Sequence, residues 1–251
     1  MINNVLITGA SSGIGRSCAF RFAASGAGLI LTGRRIERLK AIEEEITRSF
    51  GVKVLSIEMD VADREGVARA LNNLPEDMEP DVLINNAGLA LGLDLFQDGN
   101  PEFWDRMIDT NVKGLLNVTH CIVPGMIRKG RGHIINIGSV AGREVYAKGN
   151  VYCASKAAVD SITRALRMDL LVHGIRVSQI APGAVETEFS VVRFGGDLEK
   201  AGAVYNGFQP LHPDDVAEVV HYAAMLPPHV NINDLLLMPT AQASATQINR
   251  K

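Results

Sequence analysis

Tyr152 and Lys156 stand four residues apart in a stretch with helical apolar spacing, so both side chains leave the same face one turn apart. A phenol with a pKa of ~10 exchanges protons poorly near neutrality. An ammonium one turn away favours the phenolate and moves it toward a useful range. Upstream, the apolar run 134–137 turns at Gly138 and presents Ser139, whose hydroxyl can hydrogen-bond a substrate carbonyl or alcohol oxygen. Together these groups suit proton transfer at an oxygen. A tyrosine and a lysine at this spacing also arise by chance on ordinary helices, so the rest of the chain must carry the reading. Cys153, beside Tyr152, has no His or Asn arrangement to make it a nucleophile and reads as structural.

The elements that position these groups alternate strand and helix. Short apolar runs at 5–7, 29–31, 52–58, 82–84, 134–137, 175–180 and 235–238 predict strands. Helical patterns span 14–25, 36–50, 64–73, 101–129, 152–173 and 213–224, with Gly114 and Pro124 as bend points of the long one. Strands that are apolar without alternation belong to a parallel sheet covered on both faces, so the fold class is α/β, a Rossmann-like doubly wound sheet. Residues 182–211 read as irregular. There is no repeat, low-complexity run or linker, and the reading is one domain over 1–251 with a substrate loop at about 183–211.

Composition excludes several function classes. A hydrophobic content of 47% with 21% charged residues is that of a soluble globular chain able to bury a large core. A net charge of −3 and the lack of a long basic run argue against nucleic acid and anionic membranes as partners, which favours a small-molecule substrate. Cys18, Cys121 and Cys153 are few, odd in number and far apart, as expected in a reducing compartment. No apolar run approaches the roughly 18 residues of a membrane span, and the first residues read directly as a strand start, so the expected setting is cytoplasmic. The six histidines show no metal-ligand spacing, and no metal is expected.

In a doubly wound sheet, ligands bind at the carboxyl ends of the strands near the topological switch. The loop after the first strand reads TGASSGIG, Thr8 to Gly15. Gly9, Gly13 and Gly15 allow a tight turn and close backbone approach, and the next helix aims its amides at a phosphate. At the end of the second strand an acidic residue would hold the adenosine ribose of NAD. Here the segment is Leu31-Thr32-Gly33-Arg34-Arg35, and two guanidiniums suit the 2′-phosphate of NADP. The competing reading is that these arginines open the exposed face of the following helix.

These motifs in this order resemble the short-chain dehydrogenases/reductases over essentially the whole chain. TGASSGIG matches that family's cofactor loop, Asn85-Asn86-Ala87-Gly88 its NNAG segment, Tyr152 to Lys156 its YxxxK motif and Pro182-Gly183 its PG turn. The resemblance implies a catalytic set of Asn111, Ser139, Tyr152 and Lys156. Tyr152 would be the acid–base group and Ser139 would orient the substrate oxygen. Lys156 would hold the nicotinamide ribose, and Asn111 a proton-relay water. It implies cofactor contacts at Gly9, Ser11, Ser12, Gly13, Ile14, Gly15, Arg34, Arg35, Asp60, Val61, Asn86, Ala87, Gly88, Tyr152 and Lys156. Beyond the PG turn it implies further contacts at Pro182, Gly183, Val185 and Thr187.

A narrower likeness lies in NNAGLALG, in Gly149-Asn150-Val151-Tyr152, in the Thr187–Phe194 region and in LPPHVNIN. It resembles the NADP-dependent 3-hydroxy acid dehydrogenase branch, which acts on serine, allo-threonine and related acids and forms homotetramers. A carboxylate in a closed site needs a cationic partner. Arg193 is the candidate substrate residue beside Ser139 and Tyr152, with Arg143 as a second. Two other readings stay open: the same set could reduce a bulkier ketone or aldehyde, or the chain could be a non-enzymatic cofactor sensor.

Overall fold

The computed structural model describes residues 2–251. Seven strands, β1 Asn4–Thr8, β2 Gly28–Gly33, β3 Val54–Glu58, β4 Val82–Asn85, β5 Gly132–Ile137, β6 Ile175–Pro182 and β7 Asp234–Leu237, form one sheet in the order β3-β2-β1-β4-β5-β6-β7. Every pairing is parallel. The strand order reverses between β1 and β4, which register as Val5↔Val82 through Ile7↔Ile84. The crevice beyond that pair is where a doubly wound sheet binds its ligand.

Successive strand residues point to opposite faces, so each apolar strand feeds two cores. Val5, Ile7, Leu29 and Leu31 pack with Phe22 of α1 (Gly13–Ala24), Ile42 of α2 (Ile36–Phe50) and Val220 of α9 (Pro213–Met225). On the other face Leu6, Ile30, Leu83 and Ile134 pack with Val67 of α3 (Arg64–Leu71) and with Val118 and Ile122 of α5 (Gly114–Lys129). Helix α6 (Asn150–Asp169) lies along β6 on this second face, with its Leu166 and the Leu170 that follows it against the same cluster. Local chemistry starts the helices: Asp63 accepts from Gly66 N ahead of α3, and His212 and Asp215 form a capping box with Pro213 in the first turn of α9.

Three expectations change. The long helix expected over 101–129 is α4 (Pro101–Ile108), a π-helical segment Asp109–Lys113, and α5. The break lies at the π segment, where Asn111 turns inward, and not at Gly114 or Pro124. Gly114 serves close packing, since a Cβ there would lie 2.6 Å from Val61 Cγ2, and Pro124 sits inside an unbroken α5. Region 182–211 is not irregular throughout: α7 (Glu188–Arg193) and α8 (Leu198–Ala203) start where Thr187 and Asp197 cap with their side chains. The Tyr152 helix ends at Asp169, four residues before the expected end, and passes into a 3₁₀ turn at Leu171–His173.

Candidate active site

The crevice at the carboxyl ends of β1 and β4 is floored by the glycine loop. Gly9 and Gly13 have φ of 65° and 52°, and a Cβ on Gly15 would lie 2.5 Å from both Asn86 Nδ2 and Gly9 O. Only glycine accommodates this loop. Asn86 Nδ2 donates to Thr8 O at 2.8 Å and Gly9 O at 3.1 Å, and Thr8 Oγ1 accepts from the Asn86 and Ala87 amides. The NNAG segment therefore braces the loop as well as lining the crevice. Gly15 itself faces this brace, and the cavity, about 340 Å³, is lined instead by Gly9, Ser11, Ser12, Gly13 and Ile14.

Along the same cavity lie Arg34, Arg35, Asp60, Val61, Asn86, Ala87, Gly88, Ser139, Tyr152, Lys156, Pro182, Gly183, Val185 and Thr187. Arg35 donates from Nη2 to Ser11 Oγ at 2.9 Å and Ser12 Oγ at 2.8 Å. Ser12 makes no capping bond to the first turn of α1, which leaves that turn's amides for an anion. NADP fits this chemistry: a glycine-rich floor, amides at a helix start, two guanidiniums, and no carboxylate within 31–35 at the end of β2.

At the other end, Tyr152 and Lys156 occupy one face of α6, 8% and 7% exposed. Burial raises the Tyr152 pKa above its ordinary value, and Tyr146 raises it further; the Ser139 hydroxyl and Arg193 pull it back. Burial lowers Lys156 to about 8. Lys156 Nζ donates to Ile137 O at 2.9 Å, and the Ser139 hydroxyl and Arg193 favour the Tyr152 phenolate.

Asn111 lies behind the cavity wall, 2% exposed, and is not among the residues that line it. Its Oδ1 accepts from Leu89 N at 2.8 Å, while Nδ2 donates to Leu89 O at 2.8 Å and Ser155 Oγ at 3.0 Å. It ties the chain after NNAG to α6, one position from Lys156. The π segment supplies the inward turn this requires.

Arg193, at the end of α7, lies against Tyr152 without itself lining the cavity. Its guanidinium lies 5.6 Å from the Tyr152 ring centre and 5.7 Å from that of Tyr146, with Nη1 donating to Tyr146 Oη at 3.1 Å and Nε to Gly92 O at 3.1 Å. Arg143 is not in the site. It pairs with Asp234 at the start of β7. Phe189, also on α7, packs on Tyr152 with ring centres 5.6 Å apart. Sequence reasoning did not single out Tyr146, Phe189, Leu89 or Gln242 as site residues. Gln242 accepts from Ala184 N at 2.8 Å and holds the turn at Gly183, where a Cβ would meet its Oε1 at 2.5 Å. None of the four sits at a telling spacing from the motifs.

The arrangement sets a buried phenol and a hydroxyl at one end of the crevice, with the Arg193 guanidinium against the Tyr152 ring but not among the residues that line the cavity. A model of the short chain dehydrogenase family matches residues 3–194. The chain is similar to sulfoacetaldehyde reductase 2 of Chromohalobacter salexigens, 49% identical over all of both chains. It is also similar to the NADP-dependent 3-hydroxy acid dehydrogenase of Salmonella typhi, 48% identical over 96% of each. A solved structure of serine dehydrogenase complexed with NADP+, in its closed form, superposes with a TM-score of 0.91 at 45% identity, covering 99% of this chain and 100% of that one. Motif order, fold and these likenesses agree: the chain belongs to the short-chain dehydrogenase family.

Proposed function

We propose that this protein is an NADP-dependent oxidoreductase that interconverts a short 3-hydroxy acid and its carbonyl counterpart. The observation that carries the reading is Arg193, a cation 5.6 Å from the ring of the acid–base tyrosine. In serine, allo-threonine and 3-hydroxypropionate one carbon separates the carboxylate from the carbon bearing the hydroxyl. A guanidinium beside Tyr152 suits that geometry, and Arg193 Nη2 has no protein partner among the described residues.

When bound, NADP supplies or accepts the hydride. Ser139 holds the substrate oxygen and Tyr152 exchanges the proton there. As a buried phenol, Tyr152 is ready to donate to a carbonyl oxygen; oxidation requires the phenolate, which Ser139 and Arg193 favour. Arg34 and Arg35 hold the 2′-phosphate and the glycine loop the pyrophosphate. Lys156 binds the nicotinamide ribose, and Asn111 keeps the wall between Leu89 and Ser155 in place. One domain, 1–251, does this, with 183–211 as the substrate loop.

A second reading concerns the anion. The 49%-identical relative named sulfoacetaldehyde reductase points to a substrate in which one carbon again separates a sulfonate from the reacting carbon. Arg193 serves either anion. A homotetramer is supported by apolar residues left exposed at the surface, Tyr222 and Met225 of α9, Leu236 of the edge strand β7, Met168 of α6, and Leu171 and Val172 of the turn that follows it. Three free thiols suit a reducing, cytoplasmic setting.

The test is the initial rate of NADP reduction with serine, allo-threonine, 3-hydroxypropionate and 2-hydroxyethanesulfonate, each repeated with NAD. An NADP-dependent rate on an anionic alcohol is expected. In Arg193→Met its KM should rise about 10- to 100-fold, the scale of a lost charge-assisted bond. Silence on all four with turnover of a bulky ketone would discard the anionic substrate.

A further inference from the structure

Helix α7 reaches both ends of the crevice. At its first residue Glu188 accepts from Arg35 Nη1 at 2.8 Å and from Arg38 Nη1 at 2.7 Å. Phe189 and Arg193 on the same helix contact the Tyr152 ring. Thr187, just ahead, lies 3.3 Å from where a Gly13 Cβ would be. The guanidinium that suits a 2′-phosphate is therefore already shared between the serines of the glycine loop and a carboxylate of the substrate loop. The two arginines hold the Glu188 carboxyl below its ordinary pKa, so it is charged at neutral pH.

Two anions cannot both keep full possession of Arg35. We propose that Glu188 is a specificity-determining residue: its carboxylate competes with the 2′-phosphate of NADP for Arg35, and its place on α7 ties occupancy of the phosphate site to the helix bearing Phe189 and Arg193. This rests on the reading of Arg34 and Arg35 as the phosphate site. A coenzyme with a 2′-phosphate loosens the clasp on α7, and one with a plain 2′-hydroxyl leaves it closed. Arg38, which touches Glu188 and does not line the cavity, keeps the loosened carboxylate nearby.

Glu188→Gln removes the charge and keeps the shape. The coenzyme-free protein and this variant are titrated calorimetrically with adenosine 2′,5′-bisphosphate and with adenosine 5′-monophosphate. The variant should bind the 2′-phosphorylated probe about three- to tenfold more tightly, the scale of an exposed like-charge contact, and the monophosphate unchanged. High salt should shrink the difference. Hydrogen exchange supplies a second readout: the 2′-phosphorylated probe should speed exchange in α7 of the wild type, whereas in the variant exchange is fast from the start. Unchanged or weaker binding of the 2′-phosphorylated probe by the variant, with the wild type still preferring it over the monophosphate, overturns the role of Glu188 alone. A wild type indifferent to the 2′-phosphate overturns the phosphate site beneath it as well.

Discussion

Replacing Lys156 by Met should stabilise the coenzyme-free protein while destroying its turnover. Burial holds Lys156 at about 8 against an ordinary 10.5. That difference corresponds to about 3 kcal/mol of folding stability forgone at pH 7, where the lysine is charged in both the folded and unfolded states. Between about pH 8 and 10.5 the unfolded chain binds a proton that the folded protein does not, so wild-type stability rises with pH through that window; the cost is fully present below it. Methionine fills the same unbranched space without charge. It leaves Ile137 O without the amine that donates to it at 2.9 Å, a loss of about 1 kcal/mol. The variant should thus be about 2 kcal/mol more stable at pH 7, and the advantage should vanish at about pH 9.5 and turn to a deficit of about 1 kcal/mol by about pH 10.5. Urea unfolding at fixed protein concentration across this pH range, with turnover measured in parallel, is the assay. A variant less stable at pH 7, or a stability difference independent of pH, would refute the reasoning.

Tyr152→Phe removes the proton-exchanging hydroxyl and should cut turnover by about two to four orders of magnitude, with NADP affinity by titration nearly unchanged; turnover within tenfold of wild type would end its assignment. Asn111→Leu strips Leu89 N, Leu89 O and Ser155 Oγ of their buried partner. A stability loss of about 2–5 kcal/mol in urea unfolding without coenzyme is expected, and a loss under about 1 kcal/mol would show that Asn111 does not brace the wall.

The sheet and half of the site were legible in the chain because they rest on local repeats. Parallel strands buried on both faces are largely apolar without alternation, as Val5-Leu6-Ile7 and Ile134-Ile135 are, and this separates them from the amphipathic helices between. The glycine loop and the Tyr152–Lys156 spacing are likewise short-range geometry, so sequence alone determined that a phenol and an amine would share one helix face and that a glycine-rich turn would follow the first strand. What it could not decide is which distant groups those residues meet. Arg193 and Tyr146 are 47 positions apart, and Arg35 and Glu188 are 153 apart. Asn111 faces inward where the helix widens into a π turn, and Lys156 donates a hydrogen bond to the carbonyl of Ile137 on β5. Such pairings depend on how the segment from Pro182 folds back over the crevice. Capping side chains and non-local packing set that path and leave no periodic trace in the chain, so only the tertiary structure decided which cation stands beside the Tyr152 ring and which anion shares Arg35.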